Sequence, residues 1–397
     1  MSLFSSSKSY LGIDLGSASL KLVELKSDRG RARLVTYGFY ERPLGEEVTE
    51  SLKEQPEHTA KLLKEVMSKA GVTTKKAVAA LPTFNVFSSI LSLPKLPTKE
   101  LDKAIRIEAK KVVPLAIDDM ILDWKIIETD ESREKKNSQA STNQEANGPD
   151  VSEDMIREFG TRGIILKKGT PFLRILLTAA SKKHVQRYLD IFQKAGLTLL
   201  SLETEAFALT RSLVGRDKSA VMIADIGATN TDITVIDHGI PVLNRSINIG
   251  GVQISKAIGG ALGLNLIEAE QTKKDVGLGF IQPGASFPSY LNEVIIPIVK
   301  ELRYAMAEFV TQCQKGQSAI VRAPEDCQVE KIIISGGSAV MPGLPEYLAD
   351  QLKRNVYVGD PWARVIYPNE LQPVLAEIGS KFNVAVGLAM REILLSH

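Results

Sequence analysis

The chain has 397 residues and a formal net charge of +2, and 44% of its residues are hydrophobic while 24% are charged. A chain of this length folds into about two to four domains. The hydrophobic fraction excludes global disorder, and the near-neutral charge excludes a broad basic face of the kind that binds nucleic acid. We therefore expect a folded globular protein that does not bind nucleic acid.

The cysteine content and the lack of long apolar segments in the sequence bear on the cellular compartment. The only cysteines are Cys313 and Cys327, too few for a disulfide scaffold or a cysteine-rich zinc site, so we expect inert thiols in a reducing compartment. No apolar run reaches the roughly 18–20 residues that cross a bilayer, and the start of the chain lacks the apolar core of a signal peptide. These features predict a cytoplasmic protein whose contact with any membrane is peripheral.

The first unit is predicted as a three-stranded meander followed by a helix and a fourth strand. The strands are expected at 10–15, 19–25, 33–40 and 76–81, and the helix at 58–70. Gly16-Ser17 and residues 28–30 form the turns of the meander, and Gly71 ends the helix.

The second unit begins near Thr83 and contains a long polar stretch. Strands are expected at 86–93, 123–128 and 174–180, and helices at 98–113 and 182–194. From about 129 to 150 the chain is almost devoid of apolar residues, which predicts a disordered insertion. A short helix at 152–158 would follow it.

The third unit repeats the pattern of strand, glycine turn, strand, turn and strand with which the chain begins. Strands are expected at 197–202, 220–226, 231–237, 241–248 and 329–335, and helices at 205–213, 251–274, 289–313, 345–354 and 381–395. Glycines at 259, 260 and 263 interrupt the second of these helices.

Two glycine turns carry similar chemistry. In the first, Asp14 ends a strand, Gly16-Ser17 turns the chain, and Lys21 follows on the next strand. Bare backbone N–H groups at such a turn can approach a phosphate, and a carboxylate can hold a metal ion through water. The alternative is a plain hairpin whose aspartate caps its turn.

The second turn has the same arrangement about two hundred residues later. Asp225 ends a strand, and Gly227, Thr229 and Asn230 lead into the next one. A third motif delivers Gly336-Gly337 at the end of a buried strand, where a base or ribose could lie against bare backbone. Two matching turns in one chain are far more specific than one, and they suggest a pair of phosphate clamps from two lobes.

In this order the three motifs resemble the phosphate-1, phosphate-2 and adenosine motifs of the actin/Hsp70/sugar-kinase ATPase superfamily. The resemblance implies an α/β fold of two RNase-H-like lobes around a cleft that binds ATP and Mg²⁺, with Asp14 and Asp225 near the metal. It also places Glu205 where a residue positions the attacking water, with Glu203 or a mere surface carboxylate as alternatives. Lys273 falls where the superfamily contacts ribose and adenine, unless it lies on a solvated helix face.

The second unit decides the subfamily. Its position inside the first lobe resembles the arrangement in FtsA. Its details resemble the PilM family of type IV pilus assembly, as do the opening residues and the last helix; the matching segments are 2–4, 81–82, 86–94, 99–114, 123–124 and 383–389. The resemblance implies a first lobe at 1–84 and 197–216, an inserted subdomain at 85–196, and a second lobe at 217–397 that ends in a helix at 381–395.

Membership of that family implies a cytoplasmic scaffold at the inner membrane and at most a slow ATPase. The N-terminal cytoplasmic tail of the membrane protein PilN would lie extended in the cleft between the first lobe and the inserted subdomain. Other pilus assembly proteins and self-association complete the expected partners, and the membrane is reached only through them.

Two other functions stay open at this point. A sugar- or acetate-kinase-like phosphotransferase would need a second substrate pocket and a catalytic base, and the inserted subdomain argues against it. An FtsA-like cell-division filament protein would need a C-terminal amphipathic anchor. The sequence given stops directly after the last predicted helix, which favours the scaffold.

Overall fold

The computed structural model describes residues 8–43, 52–129, 172–278, 289–315 and 324–395. The predicted helix at 152–158, the polar insertion beyond residue 129 and the opening segment at 2–4 lie outside these residues. Within them, no helix is both long and apolar enough to cross a membrane.

The described strands and helices follow the predicted order. The strands are β1 (Ser9–Leu15), β2 (Ser19–Asp28), β3 (Arg31–Glu41), β4 (Lys76–Leu81), β5 (Val86–Pro94), β6 (Met120–Thr129), β7 (Phe172–Ser181), β8 (Thr198–Thr204), β9 (Val221–Ile226), β10 (Thr231–Asp237), β11 (Ile240–Ile247), β12 (Lys331–Ser335), β13 (Asn355–Val358) and β14 (Val365–Ile366). The helices are α1 (Pro56–Lys69), α2 (Thr98–Val112), α3 (Lys182–Ala195), α4 (Glu205–Leu209), α5 (Gly251–Leu262), α6 (Leu266–Asp275), α7 (Ser289–Gln314), α8 (Leu344–Leu352), α9 (Gln372–Ile378) and α10 (Asn383–Leu395).

Two large sheets share one order of five strands, and the first has β14 as an additional edge strand. The first runs β14-β3-β2-β1-β4-β8 and the second β11-β10-β9-β12-β13. In each, an antiparallel meander is extended by parallel strands, because β4 pairs with β1 and β12 pairs with β9 in parallel. The central strands β1 and β9 are almost wholly buried, as expected for strands covered on both faces. The predicted meanders and the internal repeat are therefore confirmed.

The inserted unit is a small sheet with one helix on it. Its strands run in the order β5-β7-β6, all antiparallel. Helix α2 packs Leu101, Ala104 and Ile105 against one face, where Leu93 and Ile175 are fully buried. This unit has a hydrophobic core of its own, distinct from the cores of the two large sheets.

The C-terminal part of the chain returns to the first sheet. Strand β14 pairs with β3, and α10 packs on β1 and β2. These segments were expected in the second lobe at 217–397. They lie on the first sheet because the apolar face of α10 shares a core with Val23 and Leu25. Helix α3, expected in the inserted subdomain, packs against α1 of the first sheet instead.

The expectation of two free thiols is wrong. Cys313, near the end of α7, and Cys327, before β12, form a disulfide with their Cα atoms 5.8 Å apart. Both residues are buried, at 4% and 3% exposure. The fold brings the end of α7 back beside the segment that enters β12, a proximity that the residue spacing alone does not reveal.

Replacing both cysteines, as Cys313→Ser/Cys327→Ser, is expected to lower the free energy of unfolding by about 3 kcal/mol, because the bridge closes a loop of roughly 15 residues in the unfolded chain. Urea unfolding of the oxidised protein and of this variant measures the difference. The variant should also lose any response to reductant. Alkylation of both thiols in denaturant without reductant would show that the bridge does not form.

Candidate functional site

A cavity of about 370 Å³ opens between the two large sheets. Its walls come from the strand ends and turns of both sheets and from α4, α5 and α6. All of the site residues predicted from sequence line it: Asp14, Gly16, Ser17, Lys21, Glu205, Asp225, Gly227, Thr229, Asn230, Lys273, Gly336 and Gly337. The structure therefore brings together side chains from three distant motifs, while the role of each stays a prediction.

The two glycine turns have the same internal geometry and touch each other. The N–H of Gly16 donates to the carbonyl of Ser19 at 2.7 Å, and the N–H of Gly227 donates to the carbonyl of Asn230 at 2.9 Å. Between the turns, the Thr229 hydroxyl donates to the Ser17 hydroxyl at 3.1 Å. The two turns thus lie opposite each other at the edge of one cavity.

Lys21 sits beside the carboxylate of the first turn. It lies directly across the strand pair from Asp14, and its Nζ donates to Asp14 Oδ2 at 3.2 Å. Burial alone would lower the pKa of Lys21, but the attraction of Asp14, and more weakly of Asp225, outweighs it and raises the pKa. Lys21 is therefore a fixed positive charge at physiological pH.

The Gly336-Gly337 segment gives the cavity a bare backbone wall. Gly336 has a φ of +88°, and a Cβ there would lie 2.3 Å from the carbonyl oxygen of Ile226. A Cβ on Gly337 would meet only Lys381 Cε, at 3.9 Å. Gly336 is thus required by the backbone, whereas Gly337 leaves free space that a flat ligand could use.

The structure separates the two candidate carboxylates of α4 and its approach. Glu205 is buried at the cavity wall, and its Oε2 accepts a hydrogen bond from the N–H of Thr83 at 3.2 Å. Glu203 instead forms ion pairs with Arg211 and, at 3.5 Å, with Arg391. Of the two, Glu205 is the one placed at the cavity.

Lys273 does not lie on a solvated helix face. It is 4% exposed, and its Nζ donates to Glu270 Oε2 at 2.6 Å and to the carbonyl of Gly251 at 3.2 Å. Burial lowers the pKa of Lys273, and the nearby Glu270 carboxylate offsets only part of this effect. The cation is thus held at the wall where α6 meets the start of α5.

Sequence reasoning missed several lining residues. Lys381 and Glu41 form an ion pair of 2.7 Å, although 340 positions separate them. Glu270 could have been found, because it precedes Lys273 by three residues on one helix. Asp232, to which the Asn230 amide donates at 2.5 Å, follows the second turn and could have been found from the same motif.

The acidic groups at the site suit a metal ion held through its waters better than one bound directly by carboxylates. No cluster of three acidic, histidine or cysteine side chains with metal-binding geometry occurs in the described ranges. Asp14 and Asp225 enter the cavity from separate sheets. Mg²⁺ usually keeps several waters and takes one or two carboxylates besides phosphate oxygens, so this donor set fits that ion.

Two duplicated sheets around a cleft, each with a glycine turn at its mouth, define the actin-like ATPase fold. The structure of a PilM-PilN type IV pilus biogenesis complex aligns with a TM-score of 0.72 at 24% identity and covers 97% of this chain and 98% of the solved one. That similarity concerns the fold.

The family follows from the sequence comparison. The model of the type IV pilus assembly protein PilM family matches residues 12–142 and 163–393, so the chain belongs to this family. The cell division protein FtsA of Bacillus subtilis is 25% identical over 47% of this chain and 44% of its own. The cell shape-determining protein Mbl of the same organism is 29% identical over 46% and 61%, respectively. The alignments thus span about half the length of these relatives.

A pair of glycine substitutions tests the geometry of the backbone wall. Gly336→Ala is expected to destabilise the protein by at least about 2 kcal/mol, because it combines a positive φ with a backbone clash. Gly337→Ala is the matched control, and it should unfold at the wild-type temperature because its Cβ enters open space. Equal unfolding temperatures for the two variants would contradict the geometry.

Proposed function

We propose that this protein binds Mg·ATP in the cavity between the two large sheets and acts as a cytoplasmic scaffold in type IV pilus assembly. Its partner would be the N-terminal tail of a PilN-like inner-membrane protein. Family membership supports the pilus role, and the solved PilM-PilN complex supports the choice of partner. The pair of opposed glycine turns is the observation that carries nucleotide binding.

The residues divide into three groups around the nucleotide. The first group would bind the phosphates, as bare turns bind anions. Ser17, Thr229 and Asn230 would offer donors to them, and Gly16 and Gly227, whose own N–H groups close the turns, would let the backbone approach closely. Lys21 would add a fixed positive charge. Asp14 and Asp225 would hold Mg²⁺ mostly through its waters. Gly336-Gly337 and Lys273 would flank the adenosine.

Glu205 would orient a water for hydrolysis, although its carboxylate is already engaged. Thr83 donates to it from the 3₁₀ turn Thr83–Asn85, which joins β4 of the first sheet to β5 of the small sheet. Because one of its oxygens already accepts this hydrogen bond, the carboxylate is less available to orient a water, which supports slow hydrolysis at most. ATP would therefore serve mainly as a conformational ligand.

The same turn supports a link between the nucleotide and the partner tail. It lies at the junction of the first sheet and the inserted subdomain, where the cleft for the tail would open. Phe84 in this turn lines the cavity and is 57% exposed. A tail packed on Phe84 and a nucleotide sensed by Glu205 would share one short segment, so binding at either site would favour the other.

Mg·ATP at about 100 times its Kd is expected to raise Tm by about 5–10 °C, since it adds roughly 2.7 kcal/mol to the stability of a lobe of about 150–250 residues. Asp14→Asn and Asp225→Asn should abolish this rise. Asp28→Asn, which removes a carboxylate that pairs with Arg33 at the β2–β3 turn and does not line the cavity, should preserve it. A thermal-shift titration measures all four proteins. An unchanged rise in Asp14→Asn would remove the central assignment.

A synthetic PilN tail peptide is expected to bind, and to bind more tightly when Mg·ATP is present. Phe84→Ala should weaken the peptide by about tenfold, while Leu262→Ala, which trims an exposed side chain on α5, should not. Fluorescence anisotropy of the labelled peptide measures each affinity. ATP-dependent sedimentation of the protein without any peptide binding would favour an FtsA-like filament instead.

A further inference from the structure

Helix α2 of the inserted subdomain carries two opposite stripes. Leu101, Ala104 and Ile105 are buried on the side that faces the small sheet. The same helix carries four cations spaced four, three and four residues apart, which places them on one line along the helix. They are Lys99, Lys103, Arg106 and Lys110, all of them exposed. This cationic stripe therefore points away from the core.

The four cations have no carboxylate partners in the described part of the chain. Glu108 forms an ion pair with Lys111 at 2.8 Å, and Asp102 accepts a hydrogen bond from the Trp124 indole at 3.2 Å. Between residues 95 and 111 the chain has six cations and three carboxylates, a local excess greater than the net charge of +2 of the whole chain. A solvated helix face usually mixes both signs. The line of four cations contains no carboxylate, and the exposed Glu100 and Asp102 lie beside it.

Apolar side chains stand at the end of the same helix. Val112 is 36% exposed, and Leu115, in the following turn, is 59% exposed. Beyond them Asp118 and Asp119 confine the apolar segment to the end of the stripe. Because the apolar face of α2 is buried against the small sheet, a contact with a membrane interface would combine the cations with these few aliphatic side chains and not with a whole apolar face.

We propose that α2 lies flat on an anionic phospholipid surface, with the cationic stripe on the headgroups and Leu115 at the acyl boundary. The stripe extends roughly 16 Å along the helix, a straight line that matches a plane of headgroups. Single-stranded nucleic acid fits less well, because the proteins that bind it stack bases on aromatic side chains and α2 contains none. The contact is independent of the nucleotide cavity and adds a direct attachment to that made through a partner tail.

The test is flotation of the full chain with vesicles of phosphatidylethanolamine and phosphatidylglycerol. Lys103→Gln/Arg106→Gln is expected to weaken binding about thirtyfold, because each cation near an anionic surface contributes about fivefold. Lys61→Gln/Lys64→Gln removes the same charge from the exposed side of α1 and should bind like wild type. Leu115→Ser should weaken binding about tenfold. All the changed residues are exposed, so the Tm of each variant should stay at the wild-type value.

Vesicles of phosphatidylcholine alone should leave the wild-type protein unbound. The proposal is overturned if anionic vesicles do not bind, or if the stripe and α1 variants bind equally. It is also overturned if the stripe variants lose binding to a single-stranded RNA or an acidic peptide but not to vesicles. The outcome with Mg·ATP has no bearing on it, so failure here is distinguishable from failure of nucleotide binding.

Discussion

The clamping of α10 between the two large sheets is the constraint on which the cavity depends. A Cβ on Gly12 would lie 2.0 Å from the carbonyl oxygen of Ala385, and one on Gly387 would lie 1.9 Å from that of Ala208. The helix therefore touches β1 on one side and α4 on the other. At its start, Asn383 donates to the Ser335 hydroxyl at 2.8 Å, beside the Gly336-Gly337 wall. One buried helix thus fixes three walls of the site relative to one another.

The charges in the cavity suit a ligand that carries both phosphates and a metal ion. Lys21 is balanced by Asp14, and Lys273 by Glu270, so each cation lies in a pair that also contains an acceptor. A triphosphate can attract the lysines while the carboxylates turn to the waters of a cation. Because β1 and β9 belong to separate sheets, a change in their packing on α10 would change the distance between the two turns. Under the proposed function, such a site would report nucleotide binding as a conformational change without fast hydrolysis.

Local sequence patterns predicted the part of the site that is built from residues close together in the sequence. The turns after Asp14 and Asp225 were found because strand, carboxylate and glycine follow one another within a few residues. The choice between Glu203 and Glu205 could not be made from sequence, since only the packed structure shows which carboxylate Arg211 holds. The ion pair of Glu41 and Lys381 could not be predicted from the sequence, because no local pattern relates residues near opposite ends of the chain.

The elements that sequence missed are those whose stability comes from distant packing. Strand β14 has two residues and pairs with β3, while β13 and α9 have only four and seven residues. The paired cysteines show the same effect, since their proximity depends on where α7 ends relative to β12. The spacing of the α2 cations, by contrast, is visible in the sequence, but its significance is not. Only the buried position of Leu101 and Ile105 against the small sheet shows that the cations face outward together.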